Sequence, residues 1–304
     1  MSFERSFRVV DKIGVTQVLI NSLSGACLYL LIGVSFWLIY APTKTFFVSH
    51  AAAITFGAYA CYWFNQYFGL PLPTAVCLAA IAVALGFAAV ENALFQSLRG
   101  DSKSWVGLVA SIGLYVVLQN IISLGFGDDT LVLRQGTITV GQKIGHAYVT
   151  WVQTLMIIVG GVLFVSTIML LSTTRLGRGI RGVASNPDLC VLLGLNVDRI
   201  TLWSIGMGSA LAAVAGILSA LDSDMTPTMG FRLLLNGVIV MIIAGAGSIR
   251  GFAWAALLLS MAQHLAAYFL DAKWMDTVAF IILIGFLIWK PLGFAEQRLK
   301  KVEL

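Results

Sequence analysis

Long apolar stretches without any charged side chain dominate this sequence. Eight of them contain no Asp, Glu, Lys or Arg, namely 13–43, 45–90, 104–127, 144–174, 200–221, 233–249, 251–270 and 277–289. A helix that crosses the hydrocarbon core of a bilayer needs about 20 predominantly apolar residues, and most of these stretches reach that length. The pattern therefore predicts an all-α polytopic membrane protein.

Breaks at Pro, Gly and charged residues divide the apolar stretches into candidate membrane segments. The nine candidates are 15–40, 46–64, 73–98, 105–126, 151–172, 200–221, 232–247, 250–270 and 277–290. We expect about eight spanning helices plus one broken or re-entrant segment, all within a single transmembrane domain over 1–304. Segment 46–64 is the candidate for the re-entrant segment, which would dip into the membrane without crossing it. Pro42 breaks the chain before this segment, and Ser49 and His50 make its first turn polar.

A weak internal repeat accompanies this break. Pro227 and Thr228 also stand between a long apolar helix and a short apolar segment, as Pro42 and Thr43 do earlier in the chain. Transporters are often built from repeats whose broken helices meet near the middle of the membrane. Two chance breaks between helices explain the pattern equally well.

The charged residues lie between the apolar segments and give the orientation. The chain carries 19 Lys and Arg against 14 Asp and Glu, and charged residues make up only 11% of it, where a soluble domain has about a quarter. The Arg-bearing connection 173–199 is predicted to be cytoplasmic, together with the tail 291–304, and the 127–150 loop to be periplasmic. Nine full spans would then leave Arg5 and Arg8 outside, so either segment 46–64 dips or the positive-inside rule fails at the N-terminus.

Few residues offer reactive chemistry. The sequence lacks the P-loop pattern GxxxxGK[ST], and no HExxH or GxSxG stands in a span, so we expect no catalytic site, metal or cofactor in this chain. Glu91 is a carboxylate inside an apolar segment, where either a functional role or pairing with an Arg is expected. Polar residues that could line a pathway, or equally make bonds between helices, are Asn21, Ser24, His50, Glu91, Gln119, Asn120 and Asn236.

The connection between residues 173 and 200 has a helical pattern of its own. Asn186 can cap a helix that begins at Pro187, and Asp188 in its first turn suits the helix dipole. Leu189, Leu192 and Leu193 follow at helical spacing, and Gly194 stands where such a helix would stop. A short amphipathic helix outside the membrane must cover its apolar face, either on the lipid surface or in a groove of a partner protein.

Several motifs along the chain resemble one family in order and spacing. The stretches TRLGRGIR at 174–181, NPD at 186–188 and LLGLNVDR at 192–199 resemble the coupling loop of the branched-chain amino acid ABC transporter permeases of the LivH type. Further stretches that resemble the LivH-like pattern are 47–50, 57–59, 98–100, 111–114, 118–120, 227–230, 245–251 and 290–293. The sequence departs from the family pattern at Leu189, Cys190, Ala246 and Arg250, which bears on partner choice and substrate.

The resemblance implies a translocation subunit with the ABC importer permease fold, in the bacterial inner membrane. Such a subunit serves a binding-protein-dependent importer of branched-chain amino acids or a related small polar or carboxylate solute. The implied partners are a second LivM-like permease, two cytoplasmic subunits that bind ATP and Mg, a periplasmic substrate-binding protein and membrane lipid, with no nucleic acid. The implied ATPase-coupling residues are Gly177, Arg178, Arg181, Asn186, Pro187, Asp188, Leu189, Leu192, Leu193 and Gly194.

An alternative hypothesis is a self-sufficient channel or secondary transporter. It would use Glu91 and the broken helices for transport without an ATPase. A secondary transporter usually contains several buried ionisable groups, whereas only one candidate stands inside the apolar segments here. The sequence therefore favours an external energy source.

Overall fold

A computed structural model describes residues 2–98, 104–134, 141–144, 147–245 and 249–289, although not every side chain near the edges of these ranges. The helices in this part of the chain are α1 Ser2–Thr43, α2 His50–Tyr67, α3 Leu72–Leu98, α4 Ser104–Phe126, α5 Trp151–Thr173, α6 Arg175–Ser185, α7 Pro187–Leu192, α8 Val197–Asp222, α9 Met229–Ala244, α10 Ile249–Phe269 and α11 Met275–Trp289. One turn of 3-10 helix, Ala272–Trp274, precedes α11. The strands β1 Gln142–Ile144 and β2 Ala147–Val149 form a short antiparallel hairpin.

Helices long and apolar enough to cross a membrane make up most of this fold. In the described ranges seven segments meet that condition: 14–43, 72–90, 105–126, 151–173, 197–222, 251–269 and 272–289. Helix α9 is apolar but has only 16 residues, and α2 has 18. The predicted all-α polytopic membrane fold is confirmed, and each of the nine predicted segments contains a helix.

Two helices form the centre of the bundle. In the most apolar stretch of each helix, 83% of the residues of α1 and 72% of those of α8 are buried. The corresponding shares are only 17% for α4 and 6% for α11. Helices α4 and α11 therefore present most of their apolar side chains outward. In a membrane protein such a surface faces lipid or another membrane subunit.

Glycines allow the central helices to approach one another closely. Gly216 of α8 packs against the backbone of Ile54 in α2, and Gly57 of α2 packs against Ala213 of α8. A Cβ atom placed on Gly208 would lie 2.7 Å from the carbonyl oxygen of Ser35 in α1. Small residues at such crossings are the usual packing device of membrane helices.

The predicted break after Pro42 is present, but segment 46–64 does not dip. Lys44 adopts a positive φ of 53°, and the chain stays irregular until α2 begins. The backbone N–H of Val48 donates to Ser111 Oγ at 3.2 Å, two turns into α4, whereas the ring of Tyr59 lies 5.0 Å from that of Phe126, where α4 ends. Helix α2 therefore runs alongside α4 and crosses the bundle with it.

The N-terminal part of α1 lies on the face of the 127–150 loop. The side-chain amide of Gln17 donates to the carbonyl oxygen of Tyr148 in β2 at 3.0 Å and accepts from its N–H at 2.9 Å. The start of α1 is therefore on the opposite face to α6 and α7. The sequence left two alternatives, either a dip of segment 46–64 or a failure of the positive-inside rule at Arg5 and Arg8. The path of the helices agrees with the second; the side chains of 2–13 lie outside those described.

A long central helix followed by a short one occurs twice. Helix α8 ends at Asp222 and the short α9 begins at Met229, just as the long α1 is followed by the short α2. This arrangement has the same order as the weak repeat in the sequence, in which a long helix, a Pro-Thr break and a short helix follow one another. It also puts the second break, 223–228, on the face of the 127–150 loop, where Met225 pairs with Leu131.

Candidate solute cavity and cytoplasmic helix pair

A polar cavity of about 740 Å³ opens among six helices on the face of the 127–150 loop. Its walls come from α1, the start of α5, the end of α8, the start of α9, the end of α10 and the start of α11. The cavity therefore lies where the two central helices meet the second break. A cleft of this size can hold a small solute.

Three of the predicted pathway residues line this cavity. Asn21 and Ser24 reach it from α1 and Asn236 from α9. Asn21 Oδ1 accepts from the side-chain amides of Gln17 at 3.1 Å and Gln153 at 3.0 Å, which fixes its orientation. Gln153 also closes the capping box at the start of α5, so the cap of α5 and the wall of the cavity share one side chain.

A second polar cluster links α9, α10 and α11 beside the same cavity. Arg232 and Asp276 form a two-pronged ion pair, with Nη2 to Oδ2 at 3.0 Å and Nε to Oδ1 at 3.3 Å. Gln263 of α10 donates to Asn236 Oδ1 at 3.1 Å and to the carbonyl oxygen of Met275 at 3.3 Å. Among the described lining residues, Asp222, Asp224 and Asp276 bring three carboxylates against the one guanidinium of Arg232.

Sequence reasoning missed this second cluster except for Asn236. A signal was present, since Arg232 and Asp276 each stand directly before a charge-free stretch, 233–249 and 277–289. Two opposite charges that open neighbouring spans on the same face are candidates for pairing. Gln263 gave no such signal, because an amide inside an apolar helix is also typical of a bond between helices.

The other predicted pathway residues lie away from the cavity. His50 is fully buried near the break, with Nε2 3.1 Å from Ser35 Oγ. Gln119 is half-buried on α4, and Asn120 is exposed there and donates to the carbonyl oxygen of Val116 at 2.7 Å. Glu91 falls within α3, but its side chain lies outside the described residues. Their part in any pathway stays a prediction.

At the opposite end of the bundle, α6 packs one side on the membrane helices and exposes the other. Ile180 and Val183 are fully buried. Gly177 packs against the backbone of Leu171 at the end of α5, and a Cβ on Gly179 would lie 3.1 Å from Ile200 at the start of α8. The arginines on the exposed side are Arg175, Arg178 and Arg181.

Helix α7 has the predicted capping residues and an uncovered apolar face. Asn186 Oδ1 accepts from the N–H of Leu189 at 3.0 Å, Pro187 is the first helical residue, and Gly194 has a φ of 77° that favours glycine. The buried Cys190 faces α6. The apolar side chains that stay exposed, with their exposed fractions, are Leu189 at 52%, Val191 at 60%, Leu192 at 84% and, directly after the helix, Leu193 at 71%.

Comparison with known proteins gives one consistent family. Residues 18–287 match the family described as "Branched-chain amino acid transport system / permease component". The chain is 27% identical to the high-affinity branched-chain amino acid transport system permease protein LivH of Escherichia coli (strain K12), over 91% of this chain and 94% of LivH. BraD of Pseudomonas aeruginosa, described in the same words, gives the same identity and coverage.

More distant similarities extend beyond amino acid permeases. The autoinducer 2 import system permease protein LsrC of Yersinia enterocolitica is 25% identical over 74% of this chain and 61% of LsrC. Among solved structures, PsaBC from Streptococcus pneumoniae in complex with Fab matches with a TM-score of 0.53 and 10% identity, over 92% of this chain and 94% of the PsaBC chain. At that identity the match concerns the fold alone.

Proposed function

Because the chain belongs to the family of branched-chain amino acid transport permeases, an inner-membrane family of ABC importer subunits, we propose that it carries branched-chain amino acids or a related small polar or carboxylate solute across the membrane with energy from separate ATPase subunits. Its partners in this proposal are a second LivM-like permease, two cytoplasmic ATP-binding subunits and a periplasmic substrate-binding protein. ATP and Mg would be bound by the ATPases. The observation that carries the proposal is the pairing of a polar cavity on one face with an exposed apolar helix on the other.

The cavity and α7 lie at opposite ends of the same membrane helices. Helix α5 begins near Gln153 at the cavity and ends at Thr173, directly before α6. At 1.5 Å per residue, its 23 residues separate the two sites by about 35 Å, the thickness of a bilayer core with part of its interfaces. This distance supports a periplasmic cavity and a cytoplasmic helix pair.

The exposed face of α7 supports docking to a protein. Leu192 and Leu193 are 84% and 71% exposed, and Arg178 and Arg181 are exposed on the neighbouring α6. An apolar face flanked by positive charges matches an apolar groove with an acidic rim. We assign that groove to the ATPase subunit.

Close packing at two glycines supports transmission of movement from this helix pair to the cavity. Gly177 joins α6 to the end of α5, and Gly179 joins it to the start of α8. The far ends of both membrane helices line the cavity, through Gln153 and Asp222. A shift of α6 and α7 on an ATPase would therefore move two walls of the cavity, since packed elements transmit displacement.

The test is deletion of residues 187–194 in the complete transporter. We measure uptake of radiolabelled L-leucine into right-side-out membrane vesicles that contain ATP on their inner, cytoplasmic side. The deletion should abolish this uptake while the chain still inserts into the membrane. Alanine replacement of the exposed Leu124 on α4 serves as the control and should leave uptake unchanged.

Two outcomes would overturn the proposal. ATP-dependent uptake that persists after the deletion would contradict the role of α7. Gradient-driven flux of L-leucine into liposomes that contain the purified chain alone would instead support the self-sufficient channel or secondary transporter.

A further inference from the structure

We propose that Arg232, Asn236, Gln263 and Asp276 form a head-group site for a zwitterionic solute, with an adjoining apolar cleft for its side chain. The inference rests on the proposed transport function and assigns a binding site to this chain itself. Arg232 would bind the solute carboxylate, and Asp276 with Gln263 would bind its ammonium group. Binding would exchange the Arg232–Asp276 ion pair for two pairs with the solute.

The four side chains form one connected network. Arg232 and Asn236 stand one turn apart on α9, and Asn236 Nδ2 donates to the Arg232 carbonyl oxygen at 3.4 Å. Gln263 donates to Asn236 Oδ1 and to the carbonyl oxygen of Met275, the neighbour of Asp276. The network therefore holds a cation and an anion at a defined spacing, each fixed to a different helix.

One acceptor in this network is left for a ligand. Both hydrogen-bond partners of Gln263 Nε2 are oxygen acceptors, so the amide nitrogen must face them and Oε1 must point away. Gln263 is only 1% exposed, it lines the cavity, and its Oε1 has no hydrogen-bond partner among the described residues. A buried acceptor without a donor is costly, and a ligand N–H would satisfy it.

The exposure of the ion pair makes its exchange possible. The side chains of Arg232 and Asp276 are 66% and 45% exposed, so water reaches both partners. Ion pairs exposed to this degree contribute little net stability, and a ligand that offers two opposite charges can replace them at small cost. A ligand with one charge would leave either the guanidinium or the carboxylate unpaired.

The charge of the cavity selects against anionic solutes. Asp222 and Asp224 line the same cavity as the ion pair, and Arg134 donates to the Asp222 carbonyl oxygen at 3.2 Å, so among the described residues three carboxylates face two arginines at this cavity. A monocarboxylate or dicarboxylate entering this cavity is repelled by like charge, whereas the ammonium group of a zwitterion is attracted. The cavity therefore favours amino acids over the carboxylate solutes that the sequence alone left open.

An apolar cleft adjoins the ion pair between α9 and α11. It measures about 110 Å³ and shares Arg232, Asn236 and Asp276 with the polar cavity. Its remaining lining is apolar: Phe231, Leu235, Ile239, Ala279 and Phe280. A cleft of this size has room for a small branched apolar group such as a leucine or isoleucine side chain.

The experiment measures binding to the full chain in lipid nanodiscs without a substrate-binding protein. Saturation-transfer NMR compares L-leucine with 4-methylpentanoate, which lacks the ammonium group, and with 3-methylbutylamine, which lacks the carboxylate. We expect L-leucine to bind about tenfold or more tightly than either analogue, because each analogue lacks one charge-assisted contact. Arg232→Ala should remove binding of L-leucine, and Arg232→Lys should retain part of it.

Two further variants separate a binding role from a structural one. Gln263→Leu should weaken L-leucine and 3-methylbutylamine but leave 4-methylpentanoate unchanged, since only the ammonium contact is lost. Ser223→Ala, in the same cavity but outside the network, is the matched control and should bind L-leucine as the wild type does. Melting temperatures of all variants report whether they fold.

Three results would overturn the inference. They are equal binding of L-leucine and 4-methylpentanoate, unchanged L-leucine binding by Arg232→Ala, and no L-leucine binding by the wild-type chain. None of them would overturn the proposed function, because ATP-dependent uptake and its loss on deletion of residues 187–194 are measured separately.

Discussion

Replacing Leu192 with Ala isolates the contribution of one side chain to docking at α7. Leu192 is 84% exposed, so it contributes little to the stability of the permease by itself. In the proposed complex it enters the apolar groove of an ATPase subunit. The substitution should therefore leave the melting temperature of the isolated permease unchanged and weaken its association with the ATPase.

The size of the effect follows from the surface that Leu192 has available to bury. Leucine to alanine removes three carbon atoms, worth about 0.8 kcal/mol each on full burial. Because 84% of the side chain is exposed before binding, nearly all of that surface can be buried in the complex. The expected loss is about 2 kcal/mol, which corresponds to roughly 30-fold weaker binding.

The assay is biolayer interferometry with the permease in nanodiscs and the purified ATPase subunit in solution. Leu124→Ala is the matched control, since Leu124 is 88% exposed but lies on α4, well away from α7. It should bind the ATPase as the wild type does. An unchanged dissociation constant for Leu192→Ala would refute docking through this face, and equal weakening by both variants would point to a general loss of folding.

Two further predictions concern packing and capping. Gly208→Ala places a Cβ 2.7 Å from the Ser35 carbonyl oxygen and should destabilise the bundle by about 1–3 kcal/mol, whereas Gly113→Ala, with no atom within 4 Å, should not. Identical melting curves for the two would contradict the close helix packing. Asn186→Ala removes the cap of α7, worth about 1 kcal/mol, and should weaken ATPase binding, while Asn186→Asp should preserve it. Equal binding by both Asn186 variants would argue against a role for the cap.

Features with a local cause were predictable from the sequence. The nine apolar segments follow from charge exclusion together with Pro and Gly breaks, and α7 follows from its cap, its proline and its terminal glycine, which stand within nine residues. The break after Pro42 was equally visible. In each case the residues that decide the structure stand next to one another in the chain.

Features that depend on which helices become neighbours were at best partly predictable. The ion pair joins Arg232 and Asp276, 44 residues apart, because α9 packs beside α11. Asn120 was predicted either to line a pathway or to bond between helices. It lies on the exposed side of α4, a helix that is apolar all round and whose periodicity therefore does not identify its inward face. The sequence pattern likewise left open whether α2 crosses the bundle, which depends on its packing beside α4.

The burial of α1 has a consequence for how the chain is made. This helix leaves the ribosome well before α10, yet the carbonyl oxygen of Ser22 accepts a hydrogen bond from Ser260, 238 residues later. At a synthesis rate of about 5–20 residues per second, α1 waits roughly ten to fifty seconds for that partner. During this interval its buried face has only lipid, the translocation machinery or a chaperone to cover it. Chains truncated before α10 should therefore insert but be degraded, and their half-life in pulse-chase labelling should lengthen sharply once residue 260 is included.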